Sequence, residues 1–347
     1  MSPSRGLFAR YSYDNSWDRE VRLSLDWIGM PKSLFIASFA FDVLTLAALI
    51  CGVVWACLIR NHRGALKGVL TSLFAWLIAM VLLIIEESLV IAGAIVTQYY
   101  VIDLFLYDFF LLLSECMLIF VFYNIIHQLL QCLTDTGRPY AAVVILHWIV
   151  LALAVALSVA SWVLYVVYDS MLVQGSLVYH LGMDYSKVES ARVIFFWVIS
   201  LEILAWSIFV TVKAGSHRFV SRMPAVALII GSVFWFALNI MWAIVYIRYV
   251  IPDFVYSPRY LSTVESVCQF FFCVGIYVGI LLCCMNWSKV GPDDKPAQTT
   301  QYGSVSTEYP TYPAEQTYPH YPQYPEQHPP HMQQAQDQQT HRQYEQQ

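Results

Sequence analysis

Seven long apolar stretches, separated by short polar connections, constrain this chain more than any other feature of its sequence. Each stretch can cross a hydrocarbon core of about 30 Å, which takes about 20 helical residues. Backbone polar groups find no partner in lipid, so such a segment must be a helix. The stretches lie at 34–59, 69–97, 104–133, 140–168, 191–213, 224–250 and 262–286. The sequence therefore predicts an all-α membrane protein, a seven-transmembrane helix bundle embedded in a lipid bilayer.

Composition divides the chain into three parts, which are a polar N-terminal segment (1–33), the transmembrane domain (34–290) and a tail (291–347). The tail is rich in Tyr, Pro and Gln and carries the whole net charge of −5. Because it cannot bury a core, we expect it to be disordered. Its Pro-x-x-Pro spacings fit the binding grooves of cytoplasmic proteins that recognise proline-rich segments. The alternative is a flexible tail that only keeps the protein solvated. No extended basic cluster points to nucleic acid as a partner.

The N-terminal segment is compatible with two structures. Trp17, Val21, Leu25 and Ile28 recur at helical spacing, which favours a short helix lying at the membrane interface. A loosely ordered terminus fits the polar composition of residues 1–33 equally well.

Positive charge is concentrated in alternate connections, and this pattern predicts the orientation. Lys and Arg accumulate on the cytoplasmic side of membrane proteins. The residues that set the pattern are Arg60, Arg63, Lys67, Arg138, Lys213, Arg218, Arg222, Lys289 and Lys295. We therefore expect an external N-terminus and a cytoplasmic C-terminus, in the plasma membrane. Four Arg residues before the first stretch oppose this orientation.

Six of the carboxylates inside the apolar stretches are the first candidates for function. A charge at the centre of a transmembrane helix costs at least about 2.5 kcal/mol, so such residues usually serve a purpose. They are Asp42, Glu86, Glu87, Asp108, Glu115 and Glu202. No Lys or Arg lies deep in any stretch, and Arg192 falls at the fourth connection. The carboxylates are thus expected to be protonated, hydrated or bound to a cation, or else to form polar contacts between helices.

The sixth stretch presents polar and aromatic residues on one helical face, at Ser232, Trp235, Asn239, Trp242 and Tyr246. Aromatic walls with a few polar groups suit a ligand pocket, although ordinary bundle packing gives the same pattern. We therefore predict an outward cavity that binds a small molecule or a cation. Its candidate residues are Glu86, Glu87, Glu115, Glu202, Trp235, Asn239 and Trp242.

Cysteine and glycine positions add smaller expectations. Cys283 and Cys284, at the inner end of the last stretch, are candidates for S-palmitoylation or for simple packing. Gly275 and Gly279 predict a close helix contact. The chain has no Cys-x-x-Cys pair and no His in the seventh stretch, which excludes the seven-helix zinc hydrolases. We therefore predict no metal, no cofactor and no set of catalytic residues.

The topology resembles that of G-protein-coupled receptors, and it is similar to the orphan seven-helix receptor-like membrane proteins of filamentous fungi. Rhodopsin-type motifs are absent, since the third stretch ends Asn124-Ile-Ile-His127 and the seventh has no Asn-Pro-x-x-Tyr. The resemblance implies a signalling receptor for a small ligand and coupling to a G protein. Two other functions use the same carboxylates: a membrane-embedded enzyme of the acid-catalysed cyclase or isomerase type, and a small-solute transporter.

Overall fold

The computed structural model describes residues 17–18, 20–23, 31–59, 64–134, 140–174, 179–216, 222–250 and 258–286. The predictions made for the tail, and for basic residues such as Arg60, Arg138 and Arg218, lie outside these described residues.

Within the part of the chain that the structure describes, seven helices are long and apolar enough to cross a membrane, which confirms the predicted seven-transmembrane bundle. The helices are α1 (Lys32–Leu58), α2 (Gly64–Ala92), α3 (Val101–Leu133), α4 (Ala141–Val173), α5 (Tyr179–Ser216), α6 (Arg222–Val245) and α7 (Leu261–Met285). A short π-helical turn, Tyr246–Val250, continues α6.

The fifth helix differs most from the sequence prediction. It begins at Tyr179, whereas the apolar stretch begins only at 191. Its first three turns carry polar residues, among them Asp184, Glu189 and Arg192, that a hydropathy pattern assigns to a connection. The longer helix places Glu189 and Arg192 inside the bundle, where both are almost fully buried.

Consecutive helices pack side by side, and α7 closes the bundle against α1. The third helix also contacts α5, and its buried residues Leu118, Phe122 and Ile126 form part of the main hydrophobic core. The fourth helix exposes large apolar side chains such as Ile145 and Trp148, as a lipid-facing surface requires.

The sixth and seventh helices approach each other closely at glycines. A Cβ atom added at Gly279 would lie 2.4 Å from the backbone nitrogen of Gly231, and one at Gly275 would overlap the ring of Phe234. This confirms the close contact predicted from Gly275 and Gly279, and it identifies α6 as the partner helix.

Residues Glu20–Arg22 of the N-terminal segment form a strand, whereas Leu25 and Ile28 of the interfacial helix considered above lie outside the described residues. Strand β1 (Glu20–Arg22) pairs antiparallel with β2 (Ile95–Thr97), so that Val21 lies opposite Val96. Trp17 stacks on Tyr99 with ring centroids 5.9 Å apart. The helical interpretation of Trp17 and Val21 is wrong because backbone pairing with the α2–α3 connection outweighs a weak local periodicity. This pair of strands lies at the end of the bundle where α1 begins. We call that end the entry end and the opposite end the exit end.

Candidate functional site

A buried guanidinium on α5 is the centre of the candidate site. Arg192 Nη1 donates to Glu115 Oε2 on α3 at 2.8 Å. Arg192 Nη2 donates to Glu189 Oε1 at 2.7 Å, and its Nε donates to Glu189 Oε2 at 2.9 Å. Arg192 is 6% exposed and Glu189 is 2% exposed. The prediction that the intramembrane carboxylates have no cationic partner is therefore wrong for Glu115.

Glu189 is held by four hydrogen bonds. Besides the two from Arg192, it accepts one from the Ser161 hydroxyl of α4 and one from the Tyr246 hydroxyl, at 3.2 Å, after α6. The network therefore joins α3, α4, α5 and the extension of α6. An ionised carboxylate with all its acceptor sites in use is the arrangement that allows a charge to be buried.

A small cavity lies against this network. Its volume is about 30 Å³, which is room for roughly two water molecules. Asp108, Glu115 and Glu189 line it together with Arg192, so three carboxylates face one guanidinium. Aromatic and polar side chains complete the wall: Trp76, Trp162, Phe196, Asn239, Trp242, Tyr246 and Gln269.

The indole of Trp76 gives independent evidence that the cavity is built for a polar occupant. Trp76 is 2% exposed, and its Nε1 has no hydrogen-bond partner among the described residues. A buried donor without an acceptor costs about 1–3 kcal/mol, so such groups usually meet water or a ligand. Trp76 lies on the cavity wall, so a water molecule in the cavity can accept its hydrogen bond beside a bound cation.

The structure brings together three of the seven residues predicted from sequence, namely Glu115, Asn239 and Trp242. Trp235 is 1% exposed but belongs to the hydrophobic core, where its ring lies 6.4 Å from that of Phe122. The Asn239 side chain donates to the Trp235 carbonyl at 2.8 Å.

The remaining predicted carboxylates lie away from the cavity. Glu86 is buried on α2, near enough to Tyr100 to interact with it electrostatically, and Glu87 is half-buried. Asp42 accepts a hydrogen bond from Ser266 at 3.2 Å, between α1 and α7. Glu202 belongs to a separate histidine cluster described below.

Sequence reasoning missed Glu189, Arg192, Ser161 and Trp162. The signal that could have found the first two is their spacing, because Glu and Arg three residues apart lie on one face of a helix. Ser161 and Trp162 carry no such signal, since only the packing of α4 beside α5 brings them to the site.

The two candidate lipidation cysteines have different surroundings. Cys283 is fully buried in the core, whereas Cys284 is half-buried. Acylation needs an accessible thiol, so Cys284 is the better candidate. Among the residues that the structure describes, none of the eight cysteines forms a disulfide bond.

No family model, curated protein or solved structure matches the chain.

Proposed function

We propose that this integral membrane protein is a receptor-like sensor whose buried cavity binds a small organic ammonium ion. The observation that carries the proposal is the charge of the lining, where three carboxylates face one guanidinium. Such a lining has a formal excess of negative charge in a low-dielectric setting, and a cation entering it is strongly favoured.

The walls favour an ammonium ion over a metal ion. Among the described residues, no three His, Cys, Asp or Glu side chains are arranged to hold a metal. Aromatic rings of Trp76, Trp162 and Trp242 line the cavity instead, and ring faces attract cations of diffuse charge. The volume of about 30 Å³ limits the occupant to a headgroup the size of ammonium or methylammonium.

The predicted orientation puts this cavity nearer the external side of the membrane than the cytoplasmic side. Arg192 lies about 20 Å along α5 from the entry end, at a rise of 1.5 Å per residue. The Lys and Arg residues in the connections predict an external N-terminus, and in that orientation the entry end faces the outside. Arg192 is then about 20 Å from the external end of α5. Cytoplasmic proteins that bind the tail, and a G protein, are the partners that the receptor resemblance implies.

The alternative of an acid-catalysed enzyme receives less support from the same residues. A general acid must carry a proton to give away. Glu189 accepts two hydrogen bonds from Arg192, an arrangement that favours its ionised form.

Methylammonium is expected to stabilise the purified protein in lipid nanodiscs. A ligand that binds only the folded state adds about 2.7 kcal/mol at 100 times its Kd, which raises the melting temperature by several degrees. The measurement is thermal unfolding followed across a methylammonium titration, with methanol as the uncharged molecule of matched size. We expect a concentration-dependent rise with methylammonium and none with methanol.

Two variants make this test specific. Glu115→Gln keeps the shape of the side chain but removes one cavity charge, and it should lose most of the stabilisation. Glu202→Gln removes an intramembrane carboxylate outside the cavity, and this variant should be stabilised by methylammonium as much as the wild type is. Equal stabilisation of the wild type by methanol and methylammonium would contradict the proposal.

A further inference from the structure

A second polar cluster lies nearer the exit end, joining α3, α4 and α5. His147 Nδ1 and His127 Nε2 are 2.8 Å apart, so a hydrogen bond joins the two rings. His147 Nε2 lies 3.2 Å from Glu202 Oε1. The three side chains thus form one line, His127–His147–Glu202. Along α3, His127 lies about 18 Å from Glu115, so this cluster is separate from the cavity.

Aromatic and polar side chains surround the His147 ring. Tyr123 stacks on its ring at 4.1 Å, and Trp206 meets it edge-on at 5.8 Å. Glu202 also accepts a hydrogen bond from the Tyr123 hydroxyl at 2.9 Å and is hydrogen-bonded to Trp206. The titratable groups facing His147 are therefore Tyr123 and His127 from α3 and Glu202 from α5, among the residues that the structure describes.

The two histidines differ in their access to solvent. His147 is 1% exposed, whereas His127 is half-buried and lies roughly 9 Å along α3 from its exit-end terminus. A proton arriving from that side of the membrane therefore meets His127 first. Imidazole is the side chain suited to this task, because its unperturbed titration lies between pH 5 and 8.

We propose that His127, His147 and Glu202 form a proton-binding relay open to the exit side of the membrane. In the resting state, His127 Nε2–H donates to His147 Nδ1, and His147 Nε2–H donates to Glu202. An incoming proton binds His127 Nδ1. His127 then transfers its Nε2 proton to His147 Nδ1 and becomes neutral again. The charge now resides on His147 as an imidazolium, which is paired with the Glu202 carboxylate.

Protonation changes the contact between α4 and α5. Before it, the His147–Glu202 contact joins a neutral ring to a carboxylate. Afterwards it is an ion pair between a buried ring and a partly exposed carboxylate, and charge-assisted hydrogen bonds are about twice as strong. The relay therefore tightens α4 against α5 when the exit-side pH falls. The ligand of this second site is the proton itself.

Trp206 provides a spectroscopic probe, because an imidazolium quenches the fluorescence of a nearby indole more strongly than a neutral imidazole does. The fluorescence of Trp206 is obtained by subtracting the emission of Trp206→Phe from that of the wild type, each measured as full-length protein in nanodiscs. We expect this difference emission to fall by roughly half between pH 8 and pH 5. In His147→Gln it should not change with pH.

Two further variants keep the test decisive if His147→Gln fails to fold. Glu202→Gln removes the anion that balances the imidazolium, so the quenching should occur at lower pH than in the wild type. His180→Gln, which alters an exposed histidine at the start of α5, should leave the transition unchanged. The relay is overturned if Trp206 emission in the wild type is constant over this range, or if the transition is the same in Glu202→Gln.

Discussion

Replacement of Arg192 by leucine is expected to cost about 3–5 kcal/mol of folding free energy, because it leaves Glu115 and Glu189 buried without their cation. Glu189 would lose two of its four hydrogen-bond donors in a position that is 2% exposed. The expected result is a large loss of monodisperse protein after detergent extraction and a strongly lowered melting temperature. Size-exclusion chromatography and thermal unfolding measure both effects.

Three further variants show whether the loss of stability comes from the broken ion pair or from the removal of any arginine. Arg192→Lys should be intermediate, since an ammonium cannot form the forked contact that Nε and Nη2 make with Glu189. The double variant Arg192→Leu with Glu189→Leu should recover part of the loss, because an apolar pair can replace a buried ion pair. Arg222→Leu, which alters an exposed arginine at the start of α6, should be nearly neutral. Wild-type stability in Arg192→Leu would contradict the ion-pair assignment.

Gly279→Ala is the second substitution expected to have a large effect. The new Cβ would lie 2.4 Å from Gly231 N and 2.9 Å from the Ala227 carbonyl oxygen, both of which are backbone atoms of α6. Backbone cannot rotate away as a side chain can, so α6 and α7 must separate. Overpacking of this kind costs about 1–3 kcal/mol, and more when helices must move. Thermal unfolding in nanodiscs measures the loss.

Gly52→Ala is the matched control for that substitution. Its Cβ would lie 3.3 Å from Leu73 Cδ2, which is the end of a flexible side chain and not a backbone atom. Alanine is favoured over glycine within a helix by about 1 kcal/mol, so this variant should be as stable as the wild type or more stable. If the two variants lose the same stability, the close approach of α6 and α7 is not what makes Gly279 necessary.

The helices could be predicted from sequence because the bilayer leaves an apolar segment little choice of structure. The boundaries of α5 could not, since its first turns are polar: Asp184 and Lys187 are exposed, whereas Glu189 and Arg192 pack inside the bundle. That error put Arg192 in a connection and left Glu115 without a partner. Glu115, Asn239 and Trp242 line one cavity because each lies on an inward helix face, and their role in ligand binding stays a prediction. Trp235 shares a face with Asn239, yet only the packing of Phe122 decides that it belongs to the core.

Long-range pairing explains the other failures. The strand at Glu20–Arg22 exists because residues 95–97 offer it backbone partners, which no local pattern can indicate. Similarly, His127 and His147 look like isolated residues in sequence. They become a cluster only because α3 and α4 run side by side and α5 supplies Glu202.

The central claim, that the cavity beside Arg192 binds a small ammonium ion, is tested most directly by equilibrium dialysis of radiolabelled methylammonium against the purified protein in nanodiscs. We predict saturable binding at one site in the wild type and in Glu202→Gln, and its loss in Glu115→Gln. Undiminished binding in Glu115→Gln, or no saturable binding in the wild type, would contradict the assignment of this cavity as the ligand site.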